Sequence, residues 1–157
     1  ISLAKLLPSS SWYATDISSE ALSVAEANAV QLGVEQQIQF LNGDLLEPLA
    51  NSGVSFDIIV SNPPYIPSAE ISALQPEVRQ EPLLALDGGP DGLDLYRKLL
   101  PQAQKLLKAE GIIAVEHGFD QRNSLEVLFK ESGFITESKA DLAGWDRIMI
   151  GRKSTYA

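Results

Sequence analysis

The sequence has 157 residues and carries 12 Lys and Arg against 21 Asp and Glu, a formal charge of −9 at neutral pH, with its basic residues scattered; this argues against a duplex nucleic-acid groove. Its 45 % hydrophobic and 21 % charged residues fit one globular domain with a real core. There is no Cys and His117 is the sole His, which excludes disulfides and thiolate chemistry and leaves little to build a metal site from, so no metal is expected.

No apolar run approaches the roughly 18 residues a membrane span needs. The start, Ile1 to Leu7, lacks an initiator Met, a basic n-region and a small-residue cleavage site. It reads as the back half of an amphipathic helix ended by Pro8. Ser11 to Thr15 is a strand-like run closing at Asp16. Ser18 or Ser19 can cap the next helix, along which Ala21, Leu22, Ala25, Ala29 and Leu32 keep helical spacing. Gly33 sits where a left-handed C-terminal cap belongs. Ile38 to Leu41 alternates like a strand, and Asn42-Gly43-Asp44 turns out of it. Phe56 to Ser61 is nearly continuous and apolar, the pattern of a strand buried on both faces of a parallel sheet.

Residues 66–91 are proline-rich with little periodicity and predict a long loop with one short helix at most. Gly92 to Ala109 predicts a helix that Pro101 should kink or restart. Gly111 to Glu116 is another buried strand, followed by a helix from about Asp120 to Ser132. Phe134 to Lys139 and Arg147 to Gly151 then make two strands with no helix between them, so they should pair antiparallel. Alternating strands and helices ending in a strand pair predict a doubly wound α/β sheet with an antiparallel edge.

The most informative motif is Asn62-Pro63-Pro64-Tyr65, directly after Phe56 to Ser61. Asn62 and Pro63 each precede a proline and are pushed toward extended backbone. Each proline lacks an N–H and holds φ near about −65°. The turn is therefore stiff and rich in acceptors. The Asn62 side-chain oxygen and the Pro63 carbonyl can face one small donor such as a planar NH2 group, with Tyr65 covering its flat face. Chemistry on an amino or amide nitrogen follows; a Pro-Pro pair ending a strand as a plain loop is the alternative. Its place at a strand's carboxyl end favours the ligand reading.

Asp16 and Asp44 close the two earlier strands, and in a parallel sheet such ends line one crevice. Asp16 is suited to accept from two vicinal ribose hydroxyls. Asp44 could accept from an adenine amino group, with Leu45 packing on the ring. The bland alternative makes Asp16 a turn residue before a helix. Glu116-His117-Gly118 could offer His117 as a base, but such a His is more often a packed or capping group. Gly88-Gly89-Pro90-Asp91-Gly92 lacks the Lys-Ser/Thr ending of a phosphate loop and reads as a turn into a helix. Trp12, Trp145 and most other aromatics read as core or edge packing.

Taken together, Ala14-Thr15-Asp16-Ile17-Ser18, Asn42-Gly43-Asp44-Leu45, Ser61-Asn62-Pro63-Pro64-Tyr65-Ile66, Glu81-Pro82, Leu86-Asp87-Gly88-Gly89, Asp91-Gly92-Leu93, Glu116-His117-Gly118 and Asp141-Leu142-Ala143-Gly144-Trp145-Asp146-Arg147 closely resemble the HemK-type protein-(glutamine-N5) methyltransferases. These belong to the class I S-adenosylmethionine-dependent enzymes. The resemblance runs over essentially the whole chain. It implies a Rossmann-like, mostly parallel sheet with an antiparallel terminal strand, in one catalytic domain over 1–157. It implies S-adenosylmethionine as cofactor, held by Asp16, Ile17, Asp44 and Leu45 and bordered by Asn62. Asn62, Pro63 and Tyr65 would be catalytic, and Asn62, Pro63, Pro64 and Tyr65 would bind the glutamine amide. The protein partner would be a peptide chain release factor, in the cytoplasm. Family members have a helical substrate-binding domain, a strand and a glycine-rich loop before the point matching Ile1, so the expectation is an amino-terminally truncated domain.

Two rival readings stay open. The same clamp fits a nucleic-acid amino methyltransferase acting on adenine or guanine, against which the acidic charge counts. A chain without the glycine-rich loop could also be an inactive binding remnant.

Overall fold

The computed structural model describes residues 1–154, which form two compact units, Ile1–Gly53 and Val54 onward. Among the described residues no helix is long and apolar enough to cross a membrane.

The first unit runs through helix α1 (Ser2–Leu6), strand β1 (Trp12–Asp16), helix α2 (Ser19–Leu32) and strand β2 (Ile38–Asn42). β1 and β2 pair in parallel, Trp12 opposite Ile38 and Asp16 opposite Asn42. A parallel pair needs a crossover, and α2 supplies it between two well-made caps. Ser18 Oγ accepts from Ala21 N at 3.1 Å, and Gly33 takes φ 67°, the left-handed geometry that glycine adopts without a Cβ penalty. Lys5 Nζ donates to the Leu32 carbonyl at 3.0 Å and places a cation at the helix's negative end. Ala4, Ala29, Val34 and Ile38 form the core, with Ile1, Trp12, Ala14 and Phe40 packed on it. Of the residues expected to share one face of α2, Leu22 and Ala29 are buried and Ala25 is half-buried, while Ala21 and Leu32 are exposed.

The second unit holds strand β3 (Phe56–Ser61), helix α3 (Asp94–Leu106), strand β4 (Leu107–Glu116), helix α4 (Arg122–Glu131) and strands β5 (Phe134–Ala140) and β6 (Asp146–Lys153). Its sheet has the order β3-β4-β6-β5. β3 and β4 are parallel, and β6 runs antiparallel to both β4 and β5, so the expected antiparallel terminal pair is present.

One face of this sheet is buried. Ile59, Ile113, Val115 and Met149 lie there, with Tyr96, Leu99, Leu100, Ala103 and Leu106 of α3 and Leu125 and Phe129 of α4. The opposite face leaves Ile58 and Val60 of β3 more than 40 % exposed, with Ile148 and Ile135. β3 is therefore buried on one face, not on both as its apolar run suggested; an apolar run does not say which side is covered.

Two boundaries also depart from the sequence reading. α3 passes through Pro101 without stopping and ends at Leu106. β4 begins at Leu107 because Leu107 pairs with Phe56 ahead of a register irregularity, and Glu110 turns through φ 62° before the main ladder. Residues 66–91 contain three short 3-10 turns where at most one short helix was expected. Trp145 is not in a core: it stands on the turn between β5 and β6, more than half exposed, edge-on to Phe119 at 5.7 Å.

Candidate active site

In the second unit, Asn62 leaves β3 just past Ser61, which pairs with Val115, and so emerges beside the Glu116 end of β4. Asn62 is exposed, Pro63 is buried, and Pro64 and Tyr65 are half-buried. Two prolines in sequence remove two donors from this turn, so its own backbone offers little competition for the acceptors.

Tyr65 is tied at both ends. Its hydroxyl donates to Glu116 Oε1 at 3.2 Å. Its carbonyl accepts from Gln121 Nε2 at 2.9 Å. Burial pushes the Tyr65 hydroxyl's pKa up, and the negative charge of Glu116 and their hydrogen bond push the same way. The phenol thus stays protonated, as a donor to Glu116 must. Glu116 is itself seated on a buried ring, since the Tyr96 hydroxyl donates to the Glu116 carbonyl at 2.6 Å.

The loop after the clamp doubles back onto it. Ile66 N donates to the Leu86 carbonyl at 3.1 Å and Gly88 N to the Ile66 carbonyl at 2.9 Å, a short parallel bridge opposite Asp87. Ser68 Oγ and Gly89 N both donate to Asp87 Oδ1, at 2.6 and 2.9 Å. Gly88 and Gly92 press against the clamp backbone. A Cβ on Gly88 would stand 2.8 Å from Tyr65 Cα, and one on Gly92 2.2 Å from the Tyr65 carbonyl oxygen. The Gly88–Gly92 segment does lead into α3 as a turn, but it also backs Tyr65. Next to it Arg97 pairs with Asp91 and holds that carboxyl down at about 2.

His117 is fully buried. Its Nδ1 lies 2.8 Å from the Gly118 carbonyl, which can only accept, so Nδ1 carries the proton. Nε2 is buried with no hydrogen-bond partner among the described residues. The packed reading of His117 fits this better than the catalytic one.

In the first unit Asp16 is exposed at the end of β1, and its Oδ1 accepts from Ser18 N at 2.8 Å. The turn role foreseen as its bland alternative is thus real, but it engages one oxygen of a carboxylate that has two. Ile17 is exposed beside it. Asn42 fixes this corner: its Nδ2 donates to the carbonyls of Asp16 and Ile17, each at 3.0 Å. Asp44 and Leu45 follow two and three residues later, and Leu45 sits at φ 50°. A branched residue in the left-handed region is strained, and such strain collects at ligand sites. Among the described residues no group of three or more His, Cys, Asp or Glu side chains could hold a metal ion.

Sequence reasoning missed three residues that shape these corners: Asn42, Glu116 as the partner of Tyr65, and Gln121. Asn42 read as a turn residue and Glu116 only as a neighbour of His117. Gln121 lies 56 positions from the carbonyl it holds. The glycines at 88 and 92 were the available signal, since paired glycines mark close backbone approach.

Among known proteins, the chain is 47 % identical over 152 residues to the release factor glutamine methyltransferase of Moorella thermoacetica, covering 96 % of this chain and 53 % of that protein. It is 47 % identical over 150 residues to the enzyme of the same name from Caulobacter vibrioides, covering 94 % and 51 %. The chain therefore spans about half the length of the curated relatives it matches. Among solved structures, a ribosomal protein L11 methylase from Lactobacillus delbrueckii subsp. bulgaricus superposes with a TM-score of 0.62 at 25 % identity, over 92 % of this chain and 58 % of that one. A methyltransferase from Pyrococcus furiosus gives 0.68 at 18 % identity, over 97 % and 67 %, a likeness of fold alone. The methyltransferase domain family matches residues 1–145, and the chain belongs to it.

Proposed function

We propose that this chain is catalytic-domain sequence, over 1–157, of an S-adenosylmethionine-dependent methyltransferase that modifies the side-chain amide nitrogen (N5) of a glutamine in a peptide chain release factor. The observation that carries the reading is the proline-stiffened acceptor turn at Asn62–Tyr65, tied down through both ends of Tyr65. The names of the relatives, which this chain matches over about half their length, support the same substrate class. Release factors work in the cytoplasm, and that is where this activity belongs.

The residues present suit the cofactor's chemistry. Asp16 offers a carboxylate to the ribose hydroxyls beside the exposed Ile17, and Asp44 with the strained Leu45 offers an acceptor and an apolar face to the adenine. When bound, S-adenosylmethionine supplies an electrophilic methyl group on a sulfonium. The protein's task is to present a nitrogen lone pair to it.

In an amide that lone pair is delocalised into the carbonyl. The Asn62 side-chain oxygen and the Pro63 carbonyl accept the two N–H bonds of the glutamine, while Pro64 and Tyr65 confine its flat face. Gripping both hydrogens orients the nitrogen and favours pyramidal character as the transition state forms. Orientation of this sort supplies several kcal/mol, and preorganised acceptors add to it. The nitrogen becomes strongly acidic as the bond forms, so its proton passes to water without a strong general base.

Asn62→Ala in the full-length protein tests this. Methyl transfer should be abolished, while cofactor affinity stays within roughly tenfold, about 1.4 kcal/mol. Steady-state turnover and calorimetric titration read the two quantities, and near-normal turnover would sink the clamp.

A further inference from the structure

Building on the proposed function, we propose that Gln121 is the positioning residue of the clamp: its carboxamide fixes the Tyr65 carbonyl and thereby the attitude of the whole Asn62–Tyr65 turn toward the acceptor amide.

Gln121 is 8 % exposed and joins three segments that are distant in sequence. Its Nε2 donates to the carbonyls of Tyr65 at 2.9 Å and Gly92 at 3.3 Å. Its Oε1 accepts from Gly118 N at 2.9 Å. Two carbonyls converging on one atom and an N–H aimed at the other specify a carboxamide. A carboxylate would set an acceptor against two carbonyl oxygens, and an apolar side chain would leave all three groups unpaired.

The surroundings are cut to admit this side chain. A Cβ on Gly92 would stand 2.4 Å from Nε2, and one on Gly118 3.0 Å from Oε1. The backbone of Gln121 is fixed independently, as the N-cap of α4: its N–H donates to the Gly118 carbonyl at 3.0 Å, and its own carbonyl accepts from Leu125 N at 2.9 Å. A change of side chain at 121 therefore acts on the clamp with little change to α4. With the Tyr65 hydroxyl on Glu116, the clamp's last residue is held at two points, and releasing either lets the turn rotate.

The test uses Gln121→Glu and Gln121→Met in the full-length protein, with release factor as acceptor. It measures kcat, KM for release factor, cofactor Kd, Tm and the pH profile. At neutral pH, Gln121→Glu should lower kcat roughly ten- to hundred-fold, the scale set by a small misplacement of a reacting group. Cofactor Kd should move less than about twofold, well under the tenfold that 1.4 kcal/mol represents. Burial and two facing carbonyl oxygens raise the pKa of the introduced carboxyl. As pH falls through that value the neutral acid regains an O–H donor for the Tyr65 carbonyl, so this variant should recover activity relative to the parent. Gln121→Met should show the same loss with no recovery.

Unchanged kcat in either folded variant overturns the proposal. So does a loss in Gln121→Glu whose pH profile runs parallel to the parent's. If Gln121→Glu does not fold, the kcat of Gln121→Met decides in the same terms, and failure of both to fold makes Gln121 a fold residue and also overturns it. A parent protein that methylates no release factor would instead overturn the function proposed above.

Discussion

The carboxylate of Asp16 already serves the fold, since Oδ1 accepts from Ser18 N and opens α2. The ligand role assigned to it therefore rests on its remaining capacity as an acceptor. Asp16→Ala in the full-length protein should weaken S-adenosylmethionine binding by about 1.5–3 kcal/mol, the scale of hydrogen bonds to a charged group. Calorimetry reads this directly, and an unchanged Kd would return Asp16 to a turn residue. Thermal unfolding separates the roles, because loss of the turn alone lowers Tm and leaves Kd in place. The places of Asp16 and of the Asn62–Tyr65 run at strand ends were legible in the sequence because strand ends and prolines announce themselves locally. Asn42 and Gln121 were not. Each makes its contacts with backbone carbonyls far away in sequence, and a carboxamide carries no local sign of where it will donate.

At the level of elements, short-range chemistry read well and long-range covering did not. Ser18 and Gly33 bounded α2 because caps are set by a few neighbouring residues. The antiparallel β5–β6 pair followed from the absence of a helix between two strands. β3 misled, because Ile58 and Ile59 look alike in sequence and only one of them is covered. Pro101 was expected to kink or restart the helix, and α3 runs on past it without ending there. It lies on the exposed side of α3 and withholds an N–H from the Arg97 carbonyl, yet Leu99, Leu100, Ala103 and Leu106 bury enough surface to carry the helix through. A helix held by packing tolerates a poor local residue. Pro101→Ala should accordingly stabilise the protein by about 1–3 kcal/mol, part of the usual penalty for an interior proline. Tm should rise by several degrees. A thermal melt that is unchanged or lower would mean that the proline ring packs too well to be missed.

For the molecule as a whole, the family is fixed by a match across residues 1–145, while the acceptor is argued from a small part of the second unit. The −9 charge is the broadest property bearing on that choice, because a nucleic-acid enzyme with the same clamp has to attract a phosphate backbone. The loop over residues 66–91 follows the clamp directly, closes on itself through hydrogen bonds at Ile66 and Ser68, and brings Gly88 against Tyr65, so it borders the acceptor on this account. The most direct measurement offers labelled methyl donor and full-length protein with release factor, ribosomal protein, DNA and ribosomal RNA side by side. Label should enter release factor and be absent from a release factor whose accepting glutamine is changed to alanine. Label appearing only in nucleic acid would contradict the account.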